Sequence, residues 1–357
     1  MAATLSDKAL KRLTNLLNIV SPSMQERDML EYLKTEWLSV IPDGVLRTDC
    51  MGNIEFSVMH SPSSPTLALV AHTDTICIQI TRRIGNSKFN FRSIGCSPHM
   101  LLGQKLVVVN EAGKKFDAVV GFDATSQFGQ PKGLVFEDLW IDIPGLNHDE
   151  TVDVGDLAVL KPEITINGDY ITATALDDRL GLFIIGEILR WYNDTVPPVN
   201  LICVGTVQEE VGLRGSLAFE FSHKPDATIV LDVDYATDIP FGHEDQMGLL
   251  HLGKGPGLQR KADNSAPLRN LIKSVAARHN IPVQTSLGRF VYGGTDSTSL
   301  QVARNTYGNN IANMTLPCRY IHSPVETASI SDVENAIYLI KRLIESFPKQ
   351  SEFKKLL

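Results

Sequence analysis

Two adjacent glutamates, Glu209 and Glu210, close the apolar run "NLICVGTVQEEVG". Neighbouring side chains on an extended chain point to opposite faces, so this pair offers two carboxylates with divergent aims. Four more pieces carry acids or histidines just past apolar segments: His72 and Asp74 in "VAHTD", Asp177 and Asp178 in "TALDDR", Asp232, Asp234 and Asp238 in "VLDVDYATD", and His322 and Glu326 in "RYIHSPVE". In open α/β sheets, ligands bind outside the carboxyl ends of strands, where segments distant in sequence converge. Two imidazoles and three or more carboxylates arriving there make an anionic hole, which costs several kcal/mol per uncompensated charge. Divalent cations relieve that cost, and the nitrogen and oxygen donors suit zinc, with cobalt or manganese as alternatives.

Each piece also has a plain structural reading. His72 fits a hydrogen-bonded core histidine, and Asp177 fits a helix cap. Glu209 and Glu210 fit one solvated and one salt-bridged residue. Asp232 fits the end of a strand, and His322 an ordinary loop residue. All five at the same kind of strand end argue for a metal centre.

The elements that must position these groups follow from periodicity. Helical spacing runs over residues 5–20, starting after Ser6 or Asp7, and over 24–39. Strand patterns appear at 54–60 and 66–72. From 77 to about 170 the chain gives short strand-like pieces broken by Gly, Asn and Asp, which predicts a small all-β insert. From 177 onward helices and strands alternate. The expected architecture is α/β, a largely parallel sheet with helices on both faces. Residues 1–76 plus 171–357 form its catalytic domain, and 77–170 a β-rich insert domain.

Composition sets further bounds. The 357 residues carry a net charge of −8, which argues against nucleic acid as a partner. No apolar run approaches the roughly 20 residues of a membrane span, and the N-terminus lacks a secretory pattern. The five scattered cysteines fit reduced thiols in the cytoplasm.

The pieces "AHTD", "ALDDR", "QEEVGLRG", "LDV" and "RYIHSPVE", in this order and with "GKGPGL" and "GGTDS" between the last two, resemble the tetrahedral aminopeptidase family. The likeness covers nearly the whole chain. It implies a zinc-peptidase-like catalytic domain, a β-rich domain for dimerisation and substrate access, short peptides as substrates, and a homo-oligomer, either a dimer or a tetrahedral dodecamer. It also implies two divalent ions per subunit, zinc foremost. By the resemblance Asp177 bridges both ions, His72 and Asp232 complete one site, and Glu210 and His322 complete the other. Glu209 is the general base, and Asp74 holds the His72 tautomer. A cis peptide is expected at Asp177–Asp178. Substrate contacts are expected near Tyr292 to Ser297, including Gly294, Thr295 and Asp296, near Gly257 to Asn264, and at Asp234.

The chain departs from the family pattern at two positions and matches it imperfectly over the insert stretch "GFDATSQFGQPKGLVFEDLW". Cys77 stands where relatives usually have Gly, which would place a thiol or a changed access path at the insert's mouth. Asp234 stands where a small or hydroxyl residue is usual, either to bind a substrate amine or to be solvated. Three other functions compete: a two-metal deacylase or dipeptidase, a glycosidase using Glu209 and Glu210, and a catalytically dead scaffold. The glycosidase fits poorly, since its carboxyls must face each other about 5–9.5 Å apart across the scissile bond.

Overall fold

The computed structural model describes residues 5–123, 133–147, 150–289, 294–302 and 310–348. The chain opens with helices α1 (Asp7–Leu17) and α2 (Arg27–Val40). Ser6 caps α1 by accepting from the Ala9 N–H, and Ala9, Leu13, Leu16 and Leu17 are its buried stripe. Strands β1 (Val45–Thr48), β2 (Ile54–Val58) and β3 (Thr66–His72) follow. A β-rich stretch comes next: β4 (Cys77–Arg83), β5 (Lys88–Ile94), a single helical turn α3 (Pro98–Leu101), β6 (Lys105–Val109), β7 (Lys115–Phe122), β8 (Leu139–Asp142) and β9 (Leu157–Leu160). Then come β10 (Ile164–Asn167), β11 (Tyr170–Ala173), α4 (Leu176–Thr195), β12 (Asn200–Thr206), α5 (Arg214–Ala218), β13 (Ala227–Tyr235) and α6 (Glu244–Met247). The chain closes with β14 (Gly257–Gln259), α7 (Ala266–Arg278), β15 (Gln284–Ser286), α8 (Asp296–Val302), β16 (Asn310–Arg319), β17 (Glu326–Ser329) and α9 (Ile330–Glu345).

Strands β4 to β9 close into a barrel in the order β4-β5-β8-β7-β6-β9. The other eleven form one sheet, with the main order β1-β2-β12-β3-β13-β16-β17-β11-β10 and with β14 and β15 branching from β16. The sheet is mixed, not largely parallel as the α/β rhythm predicts. Parallel pairing joins β12, β3, β13 and β16 at the centre, and also β14 and β15. The flanks pair antiparallel, β1 with β2 and β2 with β12 on one side, and β16, β17, β11 and β10 on the other. Short connections account for β1–β2, β10–β11 and β16–β17, because a hairpin turn can only reverse a strand, whereas β2–β12 and β11–β17 pair strands far apart in sequence. The piece "ITIN", grouped with the insert by its texture, is β10 and joins the main sheet through β11.

Alternate residues of the central strands face two apolar layers. Leu67, Leu69 and Ala71 of β3 pack beneath α1, α2, α4, α7 and α9, in one cluster with Leu180, Ile184, Ile272 and Leu339. Ala68 and Val70 face the other way, against Phe219, Phe221 and Leu300. Helices therefore cover both faces. The barrel has its own core, including Ile78, Phe89, Leu106, Val108 and Ile141. Cys77 sits in a smaller cluster with Val20, Val107, Val109, Leu157 and Val159, at the seam between the barrel and the α1–α2 connection. Its thiol thus lies among apolar side chains rather than at the mouth of the insert, and burial pushes its pKa far up.

Candidate metal centre

Because β3, β12, β13 and β16 run parallel, their carboxyl ends share one edge of the sheet. His72 is the last residue of β3, Asp232 lies in β13, Glu209 and Glu210 follow β12, and His322 follows β16. Asp177 arrives from the first turn of α4, where Asp177 and Asp178 leave helical geometry and the peptide between them is cis, as the resemblance implies.

Two triads result, His72–Asp177–Asp232 and Asp177–Glu210–His322. Within each, one potential ligand atom per residue lies within 4.8 Å of the others, and Asp177 belongs to both. His72 Nε2 is 2.9 Å from Asp177 Oδ1. His322 Nε2 is 3.4 Å from Asp177 Oδ2 and 3.2 Å from Glu210 Oε2.

The electrostatics of this cluster show what it lacks. Burial drives the pKa values of Glu209, Glu210 and Asp232 upward, and the neighbouring carboxylates add to the rise. His72 and His322 would fall by burial alone, but the carboxylates around them hold both high, His322 at about 12. Asp177, between the two rings, is held below its ordinary value despite burial. Glu210 Oε1 is buried and has no hydrogen-bond partner. An acceptor-rich hole with an orphaned carboxylate oxygen and imidazoles turned inward fits a pair of divalent cations.

Surrounding groups fix the donors. His72 Nδ1 lies 3.1 Å from the Asp74 backbone oxygen and 3.4 Å from Asp74 Oδ1, so the peptide oxygen of Asp74 is nearer the ring than its carboxylate. That carboxylate also accepts from Glu209 N–H at 3.0 Å, Glu210 N–H at 3.1 Å and the Ser23 hydroxyl at 2.6 Å. Glu326 accepts from the amides of Asp177 at 3.1 Å and His322 at 2.8 Å, and so ties a ligand of each triad to one carboxylate. Arg179 is wholly buried beneath the centre and donates to the Thr73 carbonyl at 2.9 Å. Gly95, in the barrel, has φ +85°; a Cβ there would lie 2.3 Å from Ile76 Cγ2 and 3.6 Å from His322 Nδ1. The barrel therefore reaches His322 through a glycine. Among these supporting groups Asp74, Glu326 and Arg179 stand inside the pieces already singled out, while Gly95 has no sequence signal of its own.

A cleft of about 130 Å³ opens over the centre, lined by Asp232, Asp234, Gln259, Lys261, Arg289, Gly294 and Thr295 among others. Gly294, Thr295 and Asp234 thus lie where substrate contacts are expected. Asp234 already accepts from Gln259 Nε2 at 2.9 Å, the Ser286 hydroxyl at 2.8 Å and the Tyr235 amide at 2.9 Å. It is buried and bonded, not solvated. Asp296 lies apart from this wall: the first turn of α8 aims it inward, 2% exposed, at the Thr206 hydroxyl. Tyr292 and Gly293 lie outside the described residues, as do residues 124–132.

Comparison with known proteins agrees with this geometry. A family model described as M42 glutamyl aminopeptidase matches residues 52–339. A lysyl aminopeptidase of Pyrococcus furiosus is 28% identical over 84% of this chain and 86% of its own length. The structure of a TET aminopeptidase from a marine-sediment Thaumarchaeota archaeon superposes with a TM-score of 0.87 at 28% identity, covering 98% of this chain and 99% of the other. The TET1 peptidase of Pyrococcus horikoshii, which assembles into a tetrahedron or a large octahedral shell, gives 0.80 at 27% identity over 95% and 99%.

Proposed function

The chain belongs to the M42 glutamyl aminopeptidase family and is a peptide hydrolase, and we propose that it acts as a metal-dependent aminopeptidase, removing N-terminal residues from short peptides. The observation that carries this reading is the pair of triads sharing Asp177. His72, Asp177 and Asp232 would hold one divalent ion, and Asp177, Glu210 and His322 the other. Zinc suits these donors best, with cobalt or manganese as alternatives. Ions bound there lower the pKa of water and polarise a carbonyl oxygen.

The chain's own residues do the rest. Glu209 is the general base. It takes a proton from the attacking water and delivers it to the leaving amine nitrogen, so the scissile C–N bond breaks with no net proton change at the enzyme. Asp74 holds the Glu209 and Glu210 amides on adjacent carboxylate oxygens, which keeps base and ligand in fixed relation. Gly294, Thr295 and Asp234 line the path of the substrate.

The test is metal analysis of purified protein with a panel of fluorogenic aminoacyl amides, free and N-blocked, before and after chelation. The expected result is two ions per chain, cleavage of free but not blocked substrates, and loss of both metal and turnover with chelator. Cleavage of blocked substrates alone would move the assignment to a deacylase.

The barrel, Cys77–Leu160, is assigned to dimerisation and substrate access, and the remaining chain to catalysis. The shells formed by the P. horikoshii relative support a homo-oligomer, a dimer or a dodecamer, which light scattering distinguishes. No helix among the described residues is long and apolar enough to cross a membrane. The five free cysteines support a reducing compartment such as the cytoplasm.

A further inference from the structure

The turn that carries Glu209 and Glu210 is held in an unusual way. Four consecutive amides of this turn donate to side chains far away in sequence. Val207 N–H donates to Asn53 Oδ1 at 3.0 Å, Gln208 N–H to Glu26 Oε1 at 3.1 Å, and Glu209 and Glu210 N–H to the two oxygens of Asp74 at 3.0 and 3.1 Å. Gln208 has φ +55°, a left-handed conformation that non-glycine residues avoid. A run of amides through a left-handed residue makes a concave anion-binding surface. Here two carboxylates and one amide oxygen of the protein fill that surface.

We propose that Glu26 is a positioning residue for the reaction: by accepting the Gln208 amide it locks the left-handed kink that aims Glu209 at the reacting water. Glu26 is the residue just before α2, 6% exposed, and does not face the cleft. The same Oε1 also accepts from the Met24 N–H at 2.9 Å, and Met24 is itself left-handed at φ +80°. One oxygen therefore pins two kinked segments together, the α1–α2 connection and the catalytic turn. Ser23, beside them, donates to Asp74 at 2.6 Å, so the α1–α2 connection meets both carboxylates that hold the turn. Without the Glu26 acceptor, Gln208 keeps only the bond from the Arg214 N–H to its carbonyl, its own N–H is released, and a rotation there swings the next residue, Glu209. Asp74 would still accept from the Glu209 and Glu210 amides, so metal binding is retained, and the drift of the base comes from rotation at the Gln208 peptide just before them. Drift of a base by about 1 Å is enough to cost on the order of 100-fold in rate.

This rests on the reading of Glu209 as general base, and the experiment separates the two. Holoenzymes of E26M, E26A, E26Q and E209Q are compared in kcat and KM on a fluorogenic aminoacyl amide, in bound metal, and in amide hydrogen exchange across residues 205–212. In E26M and E26A, kcat is expected to fall about 10- to 100-fold, with KM within about twofold, metal content unchanged and faster exchange in that segment. E26Q keeps a carbonyl oxygen that accepts both amides, so it should retain kcat within about threefold and wild-type exchange. Wild-type kcat in both E26M and E26A, unchanged exchange, or an E26Q as slow as E26M overturns the proposal. If E209Q keeps full turnover, the base assignment falls whatever Glu26 does. If E209Q is inactive while E26M and E26A are active, only the role of Glu26 falls.

Discussion

Glu209 and Glu210 are consecutive and both line the cleft, and the proposed function gives them separate tasks. Glu210 Oε2 lies 3.2 Å from His322 Nε2 within a triad, while Glu209 lines the cleft and belongs to neither triad. Glu209→Gln should therefore keep both ions in elemental analysis and lower kcat by about 100- to 10,000-fold, the range of a lost general base. Glu210→Ala and Asp177→Asn should differ from it and from each other. Removing Glu210 weakens one ion's site and leaves His72 and Asp232 for the other. Removing the shared Asp177 carboxylate weakens both. Titration against a competing chelator reads the difference as one weakened site or two. Equal retention of metal in Asp177→Asn and wild type would show that Asp177 is not a shared ligand.

The elements that carry these residues were legible to different degrees. Helices α1, α2, α7 and α9 each bury a stripe at 3.6-residue spacing, α4 is buried all round over Leu176–Ile185, and β3 and β12 are fully buried, so their types could be read from the sequence. Strand direction could not be read, because it depends on connection length and partner rather than on the strand's own residues. That is why the antiparallel flanks and the membership of β10 were missed. The single turns α3 and α6 are too short for any period to show. At the site, acids at strand ends marked the candidate ligands, but placement in the fold separated similar signals: Asp296 and Asp232 are both buried acids near apolar runs, and only Asp232 joins a triad. One ion pair between elements gives a pH test. Burial would raise the Asp238 pKa, but Arg319, at the end of β16, donates from Nε at 3.0 Å and holds it below its ordinary value. A depressed carboxylate stabilises the fold fully above its unfolded pKa, about 4, and that contribution is lost as pH falls through the folded value. Asp238→Asn should cost about 0.5–1 kcal/mol in urea unfolding at pH 7. The gap from wild type should narrow steadily below about pH 4.

At the scale of the whole molecule, ions held by the two candidate triads would also stabilise the fold. Its donors come from β3, α4, the turn after β12, β13 and the turn after β16, so ions bound there would cross-link five parts of the catalytic sheet. Ligands that bind only the native state stabilise it by mass action, about 4 kcal/mol at a thousand times the dissociation constant. Chelation should therefore lower the melting temperature by several degrees for a chain of this length, and zinc should restore it. A melting curve indifferent to chelator would count against tight ions at this site. The barrel has a different relation to the sheet. Its first and last strands, β4 and β9, are hydrogen-bonded neighbours, with Ile78 opposite Ala158 and Gln79 opposite Leu157. The chain thus leaves for the barrel and returns at nearly one point, and a linker of a few residues could bridge the gap. Such a layout would let barrels of other sizes be grafted onto the same catalytic sheet, provided each keeps a glycine where the barrel crosses Ile76 beside the ring of His322.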